Sequence, residues 1–105
     1  MFRLSQDADI NGTHLQGHIM VAPAFLIEKF GQPQKSDGYK VSGEYSFENE
    51  EGEVFTLYDW KCTELYDSYG TPVREFWNTW VPIQFNIGGK SPAFDFITWL
   101  QGEVQ

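Results

Sequence analysis

Residues 41–60 constrain the fold of this chain more than any other stretch. Val41, Gly43, Tyr45 and Phe47 share one parity, and Ser42, Glu44, Ser46 and Glu48 share the other. That is the period-two alternation of a half-buried strand. "NEEG" (49–52) then forms a short turn. "EVFTLYDW" (53–60) resumes as a β-rich run, with Val54, Thr56, Tyr58 and Trp60 on one side. Two such runs across a short glycine-containing loop predict a β-hairpin.

The flanking segments supply its partners. "HLQGHIMV" (14–21) reads as a short strand. "APAFLIEKFGQP" (22–33) reads as a helix of about two turns. Pro23 suits the first turn, Phe25, Leu26, Lys29 and Phe30 stand at helical spacing, and Gly31 and Pro33 end the helix. "KCTELYDSYGTPVREFWN" (61–78) gives mixed signals around a turn at Tyr69–Pro72. "TWVPIQFNI" (79–87) alternates as a strand, and Pro82, which cannot donate to a ladder, favours an edge or a bulge. Ser91 before Pro92 reads as an N-cap and first-turn pair. Ala93, Phe96, Ile97, Leu100 and Val104 then follow the helical rule.

The expected order is β-α-β-β-β-α: an α+β fold with a small antiparallel sheet of about four strands and both helices on one face. The second face is expected to be partly exposed and aromatic. At 105 residues, without repeats or a linker, the chain is one domain. Residues 14–105 are expected to form it, behind a polar, flexible N-terminal tail at 1–13.

Nine Phe, five Tyr and four Trp make aromatic rings the main core material. The formal net charge is −8. A basic footprint for nucleic acid is missing, and anionic membranes would repel the chain. A basic protein surface would attract it. Cys62 is the only cysteine, so no intrachain disulfide can form, which fits a reducing cytosol. Residues 1–13 hold no apolar core of signal-peptide length, and no run approaches the roughly 20 apolar residues of a membrane span. Asn11-Gly12-Thr13 matches a glycosylation acceptor, which without a secretion signal reads as chance.

Overt chemistry is sparse. Gly88-Gly89-Lys90-Ser91 between a strand and a helix invites a phosphate-loop reading, but Gln84 occupies the position of that motif's first glycine. What survives is an anion site at a helix N-terminus beside Lys90, set against a plain glycine turn capped by Ser91. His14 and His18 share a strand face, but two histidines are too few for a metal site. Cys62 has no base at a telling spacing. Glu44, Glu48, Glu50, Glu51 and Glu53 crowd the hairpin with no basic residue at 41–60, as a solvated turn or as an acidic knob for a basic surface. Asp59 and Trp60 read as a polar-aromatic binding pair, or as a loop anchor and a core ring. Trp77 and Trp80 form either an exposed patch or part of the core.

Taken in order, "LQGHI" (15–19), "FGQP" (30–33), "DGYKVSGEY" (37–45), "LYDWK" (57–61), "GTPV" (70–73) and "NIGGKS" (86–91) resemble the motifs of a family of small bacteriophage proteins. The likeness spans most of residues 14–100. Phe85-Asn86 stands where that family often has Trp-His, so any role of that histidine is absent. The resemblance implies an accessory protein of a phage, working in a bacterial cytoplasm; it implies no catalytic residue and no cofactor.

The functional expectation is a non-catalytic protein that binds a host protein with a basic surface. The acidic hairpin and the exposed aromatics Trp77 and Trp80 would make the contact. The alternative is a nucleotide-signal binder using Gly88, Gly89, Lys90, Ser91 and Trp60. A homodimer formed by sheet-edge or face pairing is open in either case.

Overall fold

The computed structural model describes residues 1–104; Gln105, the last residue of the expected domain, lies outside them. The elements are β1 (Arg3–Leu4), β2 (His14–Val21), α1 (Pro23–Phe30), β3 (Glu44–Glu48), β4 (Val54–Tyr58), α2 (Val73–Trp77), β5 (Ile83–Gly89) and α3 (Phe94–Glu103). The five strands form one antiparallel sheet in the order β1-β3-β4-β5-β2. The class is α+β, as expected, with one strand and one helix more than the sequence predicts.

The extra strand corrects the expected N-terminal tail. Arg3 and Leu4 pair with Glu48 and Phe47, so the first residues belong to the sheet. Phe2 supplies the reason: its ring lies 5.8 Å from Phe55, 5.3 Å from Phe96 and 5.4 Å from Trp99. Aromatic burial of this kind holds a two-residue strand that backbone pairing alone would not.

β2 and α1 form where their patterns predict. Pro23 opens α1, and Gly31 closes it with a φ of 85°, its N–H donating to Ile27 O. The hairpin is present, but β3 begins at Glu44 rather than near Val41. Two carboxylates explain the shortening. Asp37 accepts the N–H groups of Tyr39 and Val41, and Asp59 accepts those of Ser42 and Gly43. Backbone donors held by side chains are lost to a ladder.

One sheet face carries the core. Tyr45, Phe47, Phe55, Leu57, Phe85, Ile87, Ile19 and Val21 meet Leu26 of α1, Phe76 and Trp77 of α2, and Phe96 and Leu100 of α3. The aromatic residues of β3 and of Phe55 therefore point toward the helices. The opposite face is mainly polar, which corrects the expected aromatic one: Glu44, Ser46, Glu48, Thr56 and Asn86 lie there, with Tyr58 as an aromatic member.

β5 begins directly after Pro82, so the proline's missing donor falls outside the ladder although the strand is internal. It also runs on through Gly88 and Gly89. Each glycine pairs on both sides, Gly88 with Leu15 and Thr56, Gly89 with His14 and Phe55. The pair is thus strand, not turn. A Cβ on Gly88 would lie 2.5 Å from Thr56 Oγ1, and one on Gly89 would lie 2.9 Å from Phe55 Cδ1. Glycine is there because cross-strand neighbours already fill the space.

Candidate interaction site

Gly88-Gly89-Lys90-Ser91 is not a helix start. α3 begins at Phe94, with Ala93 at its N-cap and no side-chain cap. Ser91 Oγ donates instead to Glu53 Oε2 at 3.2 Å. Gly88 and Gly89 are buried in the sheet, and exposed Lys90 precedes the helix by four residues. The groups expected to cradle an anion do not converge, since the glycines lie in the ladder and Ser91 is turned to Glu53.

The acidic residues divide into two places. Glu44 sits at the end of β3 far from the turn, paired with Tyr58. Burial raises its carboxyl above the usual range, and the charge of Asp37 adds to this. It is no part of a knob. Glu48 accepts from Ser5 Oγ at 2.8 Å and lies 4.0 Å from the Arg3 guanidinium. The turn itself is organised by Asn49, whose Oδ1 accepts the N–H groups of Glu51 and Glu53. Gly52 takes a φ of 78° there. Glu53 is tied to Asn49 Nδ2 at 2.7 Å and to Ser91, while Glu50 pairs with the amino group of Met1.

The tertiary fold adds what the linear pattern lacks. Beside the turn is an open groove of about 480 Å³. Met1, Phe2 and Trp99 supply its apolar lining, and Glu50, Glu51 and Asp95 its carboxylates, Glu50 being the one already paired with the amino group of Met1. Asp95 and Trp99 belong to α3, more than forty residues beyond the turn at 49–52, so no local signal announces them. Carboxylates next to an apolar lining suit a lysine or arginine: the charged head meets the acids and the alkyl stem covers the rings.

The tryptophans also divide. Trp77, which the binding expectation placed at the surface and the alternative reading in the core, is core: it is 7% exposed, with its ring 5.8 Å from Phe85 and 6.2 Å from Tyr45. Gly43 makes room, since a Cβ there would lie 2.6 Å from Trp77 Cζ2. The indole N–H donates to Ser42 Oγ, which donates to Asp59 Oδ2. Asp59 is fully buried at the end of that relay. Burial pushes its carboxyl up, and the hydrogen bonds from Ser42 and Gly43 pull it partly back. Trp80 is 60% exposed and meets Phe25 edge-on at 6.5 Å.

Trp60 is exposed on the turn that Asp59 anchors. Lys40 and Lys61 stand over its ring at 5.7 and 5.6 Å, and Lys61 also stands over Tyr66 at 5.0 Å. Lys61 is the one non-glycine residue with positive φ, 57°, among the described residues. Its N–H donates to Lys40 O at 2.7 Å, which holds the turn against the 40–43 loop. The result is a small basic-aromatic platform on an acidic chain, and the order of residues 57–61 hints only at Trp60.

Cys62 is half-buried, its thiol directed to Trp60 O at 3.3 Å, and burial raises its pKa. A raised thiol pKa disfavours the nucleophilic thiolate. Among the described residues no group of three His, Cys, Asp or Glu is placed to hold a metal, and no helix is long and apolar enough to cross a membrane. No protein-family model matches the chain, and neither does any curated protein.

Proposed function

We propose that this chain is a non-catalytic accessory protein of phage type that binds a basic surface on a bacterial host protein and inhibits or redirects it, acting in the host cytoplasm. The observation that carries this reading is the groove at the hairpin turn, where Glu50, Glu51 and Asp95 stand beside Phe2 and Trp99. Net charge of −8 would steer a cationic partner toward the chain, and the apolar lining would supply contact energy once water is excluded. The motif resemblance to phage proteins supports the choice of a host target; a defence enzyme or a nucleic-acid enzyme offers the basic groove required.

The test is quantitative capture from bacterial lysate with the tagged chain and with a Glu50→Lys, Glu51→Lys variant. The expected result is a specific protein retained by the wild type at physiological salt and lost by the variant. Equal recovery by both, or no recovery even at low salt where screening is weakest, overturns the reading.

A second reading rests on the Trp60 platform: an anionic ligand with a flat ring, such as a nucleotide, would stack on an indole and meet Lys40 and Lys61. It replaces the Gly-Gly-Lys-Ser site, whose glycines are buried in β5. In a nucleotide thermal-shift screen, Trp60→Ala should abolish any stabilisation and Lys90→Ala should preserve it. Loss with Lys90→Ala alone would return the site to the loop.

A further inference from the structure

β2 is the outermost strand on its side of the sheet. Its eight residues pair with β5 on one flank, and no backbone hydrogen bond leaves its other flank toward any described residue. An antiparallel edge strand of this length presents a row of outward N–H and C=O groups. Soluble chains blunt such edges with Lys, with Pro, or by keeping them short. "HLQGHIMV" has no Lys and no Pro and is not short, so a bulge is the one blunting device it carries. Its one irregularity is a register shift between Leu15 and Gly17, which leaves Gly17–Val21 regular.

Apolar side chains border the open flank. Leu15 is 53% exposed and Met20 is 59% exposed. Phe94, 83% exposed, stands near Gln16 over a hollow of about 180 Å³. A second, larger cleft of about 530 Å³ lies between His18–Met20 and the end of α3 at Gln101 and Val104.

Charge identifies the occupant. The eight residues of β2 and the seven of β5 include no Asp, Glu, Lys or Arg. On a chain of net charge −8, self-association through the hairpin or β3 would set carboxylate against carboxylate. Contact along β2 sets none. An antiparallel strand is also its own complement, because a two-fold axis matches its donors to the acceptors of an identical copy. From these observations we infer that the β2 edge is a homodimer interface, with β2 pairing antiparallel to β2 of a second copy so that two five-stranded sheets run on as one. The inference does not depend on the acidic groove or its partner. Strand pairing alone buries less than the about 1,200 Å² of a stable interface, so Leu15, Met20 and Phe94 must share the contact. A micromolar dimer is the expected strength.

Sedimentation and light scattering between about 1 µM and about 1 mM protein read the mass directly. The expected result is a shift from monomer to dimer with concentration. In Leu15→Lys, Met20→Lys, the dimer should weaken by at least about tenfold, since four ammonium groups then line one seam. Both side chains are exposed, so the fold should be retained, as circular dichroism will check. Deuterium exchange locates the contact: β2 amides should gain protection with concentration in the wild type and not in the variant. A monomer at every concentration overturns the inference, and would leave the edge to an extended peptide of another protein. A dimer indifferent to the two lysines, or one protecting amides elsewhere, overturns it equally.

Discussion

On the β1 side, the sheet is closed by two short pieces. Arg3 and Leu4 pair with the turn-proximal end of β3, and Gln34 exchanges both backbone hydrogen bonds with Glu44 at the other end, each at 2.8 Å. Arg3 beside Glu48 adds charge. On the β2 side, the eight residues include no Asp, Glu, Lys or Arg, and no strand among the described residues pairs with their outer flank. The two edges belong to one sheet and have the same backbone needs, so the difference lies in side chains. Where Phe2 supplies an anchor, two residues suffice to close an edge. Where the strand is long and without Asp, Glu, Lys or Arg, its outer flank stays open to the pairing with a second copy inferred above.

The sharpest way to break the contrast is to release β1. Phe2 touches Phe55, Phe96 and Trp99, and is the apolar anchor of a segment otherwise held by hydrogen bonds of Ser5 to Ser46 and Glu48 and of Gln6 to Gln34. Phe2→Ala should cost about 3 kcal/mol, the lower end for a truncated Phe because this ring is only half-buried. Denaturant unfolding measures the loss. Exchange should show the amides of β3 opening with it, and the variant should acquire a second unprotected edge. Unchanged protection in β3 would show that the Gln34 bridge alone closes this side.

The two edges were not equally legible in the sequence. β2 closes on Ile19-Met20-Val21 two residues before Pro23, and the strand read over 14–21 has those limits in the fold. β1 is too short for any periodicity, and its anchor at Phe2 meets residues fifty or more positions away. The same distance hides the groove, since Asp95 and Trp99 join Glu50 and Glu51 only through the packing of α3. Five glutamates close in sequence looked like one cluster, yet β geometry carries Glu44 to the opposite end of the strand. Gly88-Gly89 read as a turn because glycine is the usual turn residue; its role in the sheet depends on Thr56 and Phe55 across the ladder. Trp77 and Trp80, three residues apart, were not told apart because the mixed signals of 61–78 give Trp77 no regular period.

A second lock on the charged side is the carboxylate of Asp59, which fixes Ser42 and Gly43 just before β3. Asp59→Ala leaves those donors without their acceptor and should cost about 2 kcal/mol. Asp59→Asn, which keeps an acceptor oxygen, should cost less. The sign of the pH effect follows from burial. The folded-state pKa is raised above its ordinary 3.8, so the folded chain holds this proton more tightly than the unfolded one. The resulting stabilisation is complete below the unfolded value and is lost as pH rises through the folded one. Asp37 has the opposite sign: backbone hydrogen bonds from Tyr39 and Val41 lower its pKa, and its contribution is lost as pH falls. Melting temperatures of the wild type and Asp59→Asn, followed upward from below the unfolded value, should differ in slope between the unfolded pKa and the raised folded one and run parallel beyond it. Curves parallel throughout would deny Asp59 the raised pKa.

On the neutral side, the corresponding test is Gly88→Ala. The new methyl would press on Thr56 Oγ1 across the β4–β5 ladder, at an expected cost of about 1 to 2 kcal/mol. Thr56→Ala removes the obstructing hydroxyl, so the double variant should be more stable than the sum of the single losses predicts. Strict additivity would mean that Gly88 is required for its backbone conformation and not for closeness.

The smallest expected effect sits at Arg3, and it separates stability from edge protection. The guanidinium is 71% exposed and lies 4.0 Å from Glu48, so the pair is screened and worth at most about 0.5 kcal/mol. Arg3→Gln should therefore leave the melting temperature nearly unchanged, and added salt should alter the wild type and the variant alike. If charge nevertheless guards this edge, the variant should self-associate at millimolar concentration through β1 and β3, with new exchange protection there and none added at β2. Should Arg3→Gln stay as free of that contact as the wild type, the brevity of β1 and its aromatic anchor would account for the closed edge by themselves. The open edge at β2 would then follow from its length as much as from its lack of charge.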